Sequence, residues 1–429
     1  MTSLQLVVWI AGGVLLQVAI YLGIGFLRHW QDYLALRTSV VEGDVAEDGA
    51  GIVRTAVHPA APVAWPGWRA FQIVDKRFED ASQQVCSFYL KPQDGLALPP
   101  FLPGQFLTFQ LDIASLSGAA PAPVVRCYSL SDSPQSATYR ISIKRVPAPG
   151  GSGYAPGRSS NYFHDHVGLG SVVRVRAPSG HFHIDLGDAP VVLIAGGIGI
   201  TPMLSMLNWC VAAQPTREVW LFYGVRDGSE LVMWPHLQAL AAAHANVHLH
   251  VCFSQSRAGD TAMPAGIGTH IHHGRVDVAL LRTVLPLKHF HFYLCGPTPM
   301  LQSLVPALED WGVADSHIHY EAFGPASIPR KASQRASLST SASTEAIVVS
   351  FSKSARQVAW TPGSGNLLDF AEAHGIAVNS GCRAGSCGSC QTVIRAGEVA
   401  YSQTPDCDPE AGSCLLCVTQ PKTNVTLEI

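Results

Sequence analysis

The chain has 429 residues, enough for two to four domains with separate hydrophobic cores. Only 14% of its residues are Asp, Glu, Lys or Arg, against about 25% in an average soluble domain, while 47% are hydrophobic and the mean hydropathy is +0.19. This excludes a disordered chain, which needs low hydrophobicity and high charge, and the net charge of −3 excludes a generally basic nucleic-acid binder.

The apolar excess begins at the N-terminus, where Leu4 to Leu27 carry no charged side chain. At 1.5 Å per residue this run would form about 36 Å of helix, enough to cross a hydrocarbon core, with Trp9, Tyr21 and Trp30 near its ends as interfacial anchors. No basic residue precedes it, and it ends in Phe26-Leu27-Arg28-His29-Trp30 rather than at a small-residue cleavage site. An uncleaved transmembrane helix is therefore favoured over a signal peptide. Arg28 and Arg37 place the remainder of the chain in the cytoplasm. The expectation is a single-pass protein of the inner (cytoplasmic) membrane, in contact with lipid through residues 1–30, with 31–64 as a tether.

From 65 to 187, short runs rich in β-formers alternate with Gly and Pro: Phe71-Val74, Val85-Leu90, Phe106-Leu111, Tyr139-Val146 and Val172-Ala177. Such spacing predicts a small antiparallel β-barrel. From 188 to 325 the apolar runs Val191-Ala195, Val219-Tyr223, Val247-Phe253 and Phe292-Cys295 alternate with the helical stretches Met203-Ala213, Leu237-Ala243 and Met300-Leu308. Alternating strand and helix predicts a parallel α/β sheet. Residues 326–344 are rich in Ser, Ala and Thr and read as a flexible linker. Residues 345–429 form a final α+β domain, so the fold class is multi-domain.

That last domain holds six of the 11 cysteines. Cys382, Cys387 and Cys390 have the spacing C-x4-C-x2-C, and Cys417 follows with 26 residues between. This is a plant-type ferredoxin arrangement for a [2Fe–2S] cluster, and structural zinc fits the spacing poorly. The small residues of SGCRAGSCGSC let backbone N–H groups approach the sulfurs. The segment CLLCVTQP resembles the ferredoxin pattern that selects Cys417 over Cys414 as the distal ligand.

Arg126-Cys127-Tyr128-Ser129 comes after a Pro-rich turn, with Pro103-Gly104-Gln105-Phe106 upstream and Ile143-Lys144-Arg145 and Gly157-Arg158-Ser159-Ser160-Asn161 downstream. Here the chain resembles the ferredoxin–NADP reductase superfamily, whose flavin motif is R-x-Y-S. The resemblance implies that Arg126 pairs with a flavin phosphate, Tyr128 packs on the flavin, Ser129 sits near N5, and Gly157, Ser159, Ser160 and Asn161 hold the pyrophosphate. Cys127, Ile143 and Lys144 complete the set. The segment is most like the reductase portion of flavohaemoglobins and hybrid-cluster-protein reductases, which favours FAD over the FMN of phthalate-dioxygenase-type reductases.

Gly196-Gly197-Ile198-Gly199-Ile200-Thr201-Pro202 joins a strand to a helix, as a turn that cradles a pyrophosphate on backbone N–H groups does. By the same resemblance Gly197, Gly199, Thr201 and Pro202 bind the nicotinamide nucleotide. Cys295-Gly296-Pro297 is the family's CGP turn beside the hydride-transfer site, and Glu321, Phe323, Gly324 and Pro325 lie at the flavin face. Only Arg226 is placed to meet a 2′-phosphate, beside Asp227 and Glu230, so NADH is favoured over NADPH.

The resemblance implies a β-grasp C-terminal domain and electron transfer from NADH through FAD to [2Fe–2S], with Ser129, Cys295 and Glu321 at the chemistry. The function expected is a membrane-anchored NADH-dependent reductase whose partner is an oxygenase, hydroxylase or desaturase of the same membrane. A ferric or quinone reductase is the alternative, and a carrier module with a vestigial flavin site is the reading from another class.

Overall fold

The computed structural model describes residues 64–113, 123–148, 155–257, 266–323 and 347–429, apart from 362, 379, 384, 386, 403–404 and 406–408. All of them belong to the unit Ala60–Ile429.

Alternating side chains build the first layer. Strands β1 (Arg69–Phe78), β2 (Val85–Pro92), β3 (Phe106–Leu111), β4 (Val124–Ser129), β5 (Tyr139–Lys144) and β6 (Val172–Ser179) form one antiparallel sheet in the order β4-β3-β6-β1-β2-β5. A bridge between Leu130 and Ile141 brings the two ends of this sheet together, so it curls into a barrel. On β3, Leu107, Phe109 and Leu111 face the core with Phe71, Phe88 and Phe163, and Thr108 and Gln110 take the opposite face. Each buried aromatic contributes about 1.5–3 kcal/mol. Helix α1 (Arg158–His166) closes one end, its Phe163 edge-on to Phe109 at 5.4 Å. This helix was not predicted, because its nine residues RSSNYFHDH are mostly polar and too few to announce a helix by an apolar run.

The second layer is parallel. Strands β7 (Val191–Gly196), β8 (Val219–Val225), β9 (Val247–Phe253), β10 (Thr269–His273), β11 (His291–Gly296) and β12 (Ile318–Ala322) lie in the order β10-β9-β8-β7-β11-β12. Helices α2 (Ile200–Ala213), α3 (Trp234–Ala243), α4 (Val278–Val284) and α5 (Thr298–Trp311) connect them. β7 is buried throughout, as expected of a central strand covered on both faces. The two strands without an apolar signature, β10 (THIHH) and β12 (IHYEA), are the sheet's edges, where half-polar sequences suffice. Chain order reverses between β7 and β11, which opens a crevice at their carboxyl ends.

The third layer is a mixed sheet of β13 (Val348–Phe351), β14 (Arg356–Ala359), β15 (Gln391–Ala396), β17 (Ser413–Leu415) and β19 (Val425–Leu427) in the order β14-β13-β19-β15-β17. A second pair, β16 (Val399–Tyr401) and β18 (Thr419–Pro421), stands beside it. Helix α6 (Leu367–Ala373) packs Leu367, Leu368 and Phe370 into its core.

The expected N-terminal transmembrane helix and tether fall on residues 1–63, outside the described residues. Among the described residues no helix is long and apolar enough to cross a membrane. The longest helices, α2 and α5, have 14 residues each, about 21 Å at 1.5 Å per residue, short of a hydrocarbon core of about 30 Å. Among the described residues the fold class is therefore corrected to a multi-domain protein with no membrane-spanning helix, and they give the assignment to the inner membrane no support.

Candidate functional site

The edge strand β4, the β7–β11 crevice and the cysteine loop border a cavity of about 850 Å³, within the size range of cofactor sites. Arg126, Cys127, Tyr128, Ser129, Ile143, Lys144, Gly157, Ser159 and Ser160 line it from the barrel. Thr201, Arg226, Glu321 and Phe323 join from the parallel layer, and Cys382 and Arg383 from the cysteine loop. Asn161 is not on this wall; its amide donates to the carbonyls of Val146 (2.8 Å) and Gly157 (2.7 Å). Gly324 and Pro325 lie outside the described residues.

Both helices that start at the cavity begin without a side-chain cap: α1 after Gly157 and α2 after Gly199. The dipoles of both helix starts thus favour an anion, although the Ile200 N–H at the head of α2 already donates to the Gly197 carbonyl. The Tyr128 hydroxyl is 2.8 Å from Ser159 Oγ, fixing the aromatic ring against the start of α1. A pyrophosphate on α1 and a planar ring along β4 suit this set of donors, so the residues present fit a dinucleotide flavin.

At the crevice, the turns after β7 and β11 touch backbone to backbone. A Cβ on Gly199 would stand 2.1 Å from the Cys295 carbonyl oxygen, so only glycine fits there. Gly296 approaches Gly196 closely as well, Pro297 opens α5, and Pro202 is buried in the first turn of α2. Thr201 Oγ1 donates to the Ile198 carbonyl at 3.0 Å. Cys295 is fully buried and is the registered neighbour of Glu321 on β12. Burial pushes the Cys295 thiol up, with the Glu321 charge adding to it. Glu321 accepts a hydrogen bond from Ser129, yet burial and the nearby Cys382 raise its carboxyl to about 8. Its Oε2 is buried with no hydrogen-bond partner. Ser129 and Glu321, drawn from two layers, therefore meet on the cavity wall, with Cys295 buried beside Glu321 and off that wall.

A smaller cavity of about 260 Å³ adjoins, lined by Gly197, Ile198, Arg226, Asp227, Glu230 and Arg257 among others. Arg226 is held by Glu230, with Nε at 2.9 Å, and Lys144 approaches the same carboxylate at 3.5 Å. Burial opposes ionisation of Glu230, but Arg226 and Lys144 outweigh it and hold the carboxyl down at about 2. The cation placed to meet a 2′-phosphate is thus already ion-paired.

The cysteine loop gathers four thiols, with Cys382 in side-chain contact with Cys417. Cys382 N–H donates to Cys387 Sγ at 3.2 Å and Cys387 N–H to Cys382 Sγ at 3.3 Å. Cys390 and Cys417 are in side-chain contact, and Gly385 N–H donates to Cys417 Sγ at 3.3 Å. A Cβ on Gly381 would stand 2.8 Å from Cys387 Sγ. Among the described residues no three His, Cys, Asp or Glu side chains converge as a single-ion site. Four gathered thiols with N–H donors around them fit a four-thiolate cluster with two irons instead. Cys414 is fully buried in the domain core, its thiol pushed up to about 11 by burial. Cys407 lies outside the described residues.

Sequence reasoning missed Arg383 and Glu372, which line the main cavity and bind one another at 2.5 Å, with Asp369 at 3.0 Å from the same guanidinium. Their only signal is an Arg inside a cysteine motif and two acids on the preceding helix.

Among known proteins, the oxidoreductase NAD-binding domain family matches residues 193–305 and the 2Fe-2S iron-sulfur cluster binding domain family matches residues 352–422. A flavohemoprotein of Halalkalibacterium halodurans is 38% identical over 267 residues, 62% of this chain and 62% of the relative. The chain therefore spans about three fifths of the length of such relatives. The flavohem-like FAD/NAD binding domain of a nitric oxide dioxygenase from Vibrio cholerae is 33% identical, with a TM-score of 0.51, covering 60% of this chain and 99% of that one. An intact type IV self-sufficient cytochrome P450 monooxygenase shares the fold over 84% of this chain and 41% of its own, at 20% identity and a TM-score of 0.52.

The raised Glu321 carboxyl has a measurable consequence. Its folded value of about 8 exceeds the ordinary 4.5, so the folded chain holds a proton that the unfolded chain has released. Its contribution to stability is complete below about pH 4.5 and is lost as pH rises through about 8. Wild type should lose thermal stability relative to Glu321→Gln between these limits; parallel pH profiles would contradict this.

Proposed function

The chain belongs to the ferredoxin–NADP reductase superfamily, as a FAD/NAD module with a C-terminal [2Fe–2S] ferredoxin domain, and from that premise we propose that it is an NADH-dependent reductase delivering single electrons to a separate protein acceptor, an oxygenase component. It is an NAD(P)H-dependent oxidoreductase, and its cofactors are FAD, NADH and a [2Fe–2S] cluster. The observation that carries the rest is the shared cavity, where the flavin strand, the nicotinamide crevice and a cluster cysteine form one wall system.

Bound FAD supplies the exchange between a two-electron hydride donor and a one-electron cluster. The chain's own residues do the rest. The uncapped starts of α1 and α2 bind two pyrophosphates, with Arg126 at the flavin end. Ser129 places its hydroxyl between cavity and Glu321, whose carboxyl retains a proton at neutral pH. That pair can hold and move a proton at the flavin edge while Cys295 and Thr201 pack the nicotinamide side. Phe323, 46% exposed, stands at the mouth as a cover for the ring face. Cys382, Cys387, Cys390 and Cys417 would hold the cluster. The Vibrio cholerae relative's module is part of a nitric oxide dioxygenase, which supports an oxygenase as the acceptor class. A ferric ion or quinone is the alternative acceptor.

Anaerobic titration with NADH tests the reading. Flavin absorbance should bleach and cluster reduction should follow in wild type and in Cys414→Ser, while Cys417→Ser bleaches without a cluster signal. A protein purified with no flavin would instead support the carrier module. Glu230→Gln should release Arg226 and raise kcat/KM for NADPH about three- to tenfold, roughly 0.7–1.4 kcal/mol, with little change for NADH. Unchanged NADPH kinetics would remove Glu230 as the selectivity group.

A further inference from the structure

Beside the flavin cavity, whose wall Cys127 shares, the barrel carries a row of three side chains across adjacent strands. Thr108 on β3 is the registered neighbour of Cys127 on β4 and of Arg176 on β6. The three therefore stand in line across adjacent strands, on the face opposite the core residues Leu107, Phe109 and Val175. Thr108 points away from that core, yet it is only 1% exposed.

The cysteine loop covers this row. Arg176 Nη1 donates to the Cys387 carbonyl at 2.9 Å, and its guanidinium lies 4.7 Å from the Trp68 ring centre. The Cys127 thiol is within side-chain hydrogen-bonding reach of both Cys382 and Cys387. On its other side, Thr108 Oγ1 is 3.4 Å from Cys127 Sγ. With Thr108 O–H donating to that sulfur, the Cys127 S–H is left to point at the loop. A thiol S–H is a weak donor, and the loop sulfurs are acceptors within its reach. Five thiols thus gather where the ligand spacing requires four.

We propose that Cys127, oriented by Thr108, donates a hydrogen bond to the ligand sulfurs of Cys382 and Cys387, so that the flavin barrel itself sets part of the reduction potential of the cluster it feeds. The inference rests on the four-thiolate reading of the loop. Cys127 acts through the ligand sulfurs and is a positioning residue. Hydrogen bonds to sulfur stabilise the more negative, reduced cluster, so each one raises the potential. A cysteine between the Arg and Tyr of the flavin motif is thus a link between two cofactor sites.

The test is a redox titration of the full-length holoprotein, followed by electron paramagnetic resonance of the cluster, with flavin absorbance as the check on folding. Cys127→Ala should lower the reduced-to-oxidised ratio at the wild-type midpoint three- to tenfold, a downward shift of about 30–60 mV at 59 mV per decade. Thr108→Val should shift it the same way by less, and Cys127→Ser, which keeps a donor, should stay near wild type. An unmoved potential in Cys127→Ala would overturn the proposal. So would loss of the cluster in both Cys127 variants with flavin retained, which would make Cys127 a ligand. A wild-type protein without a [2Fe–2S] signal would sink the cluster reading itself, a different failure.

Discussion

A single hydrogen bond, from Arg176 Nη1 to the Cys387 carbonyl, joins positions 211 residues apart and fastens the cysteine loop to the outer face of the barrel. Hydrogen bonds from a charged donor contribute about 1.5–3 kcal/mol, and the stacking of Arg176 on Trp68 fixes its donor direction. The clasp seats the loop whose Cys382 and Arg383 form the third wall of the main cavity, alongside the Cys127 thiol that reaches the same loop from β4. The loop's own conformation is held from the other side, where Arg383, at φ +57, is pinned by Asp369 and Glu372. Those two ion pairs sustain a left-handed backbone that an Arg would otherwise avoid.

The electrostatics of the cavity arise from where its walls meet. Glu321 ends an edge strand of the parallel layer and faces Ser129 from the barrel, so neither layer alone would bury its carboxyl. The same meeting places Lys144 of the barrel near Glu230 of the parallel layer, and that carboxylate in turn occupies Arg226. One seam thus raises one carboxyl and lowers another: Glu321 finds few donors there, whereas Glu230 finds two cations.

Local pattern made much of this legible. Val191–Gly196 leading into glycines announces a buried strand meeting an anion-binding helix, and C-x4-C-x2-C announces a cluster without reference to any other part of the chain. Ser129, Cys295 and Glu321 are each singled out by a short motif, and the parallel register of β11 and β12 brings the last two side by side. What stayed hidden depends on pairing over distance. Thr108, Cys127 and Arg176 form a row only through the registers of three strands spread over some 70 residues, which no window of sequence records. The edge strands β10 and β12 stayed hidden because half-exposed strands need no apolar run. The transmembrane reading rests on a strong local apolar run that lies outside the described residues, while the helices of the described residues pack on sheets and none of them is long and apolar enough to cross a membrane.

The central claim is that the flavin site and the cluster lie in one chain on one shared wall, so that electrons pass between them without an encounter of two molecules. Stopped-flow mixing of the holoprotein with excess NADH under anaerobic conditions, repeated over a tenfold range of protein concentration, measures this directly. The account predicts that cluster bleaching comes after flavin reduction with a first-order rate that does not change with protein concentration. A rate that rises in proportion to protein concentration would contradict it.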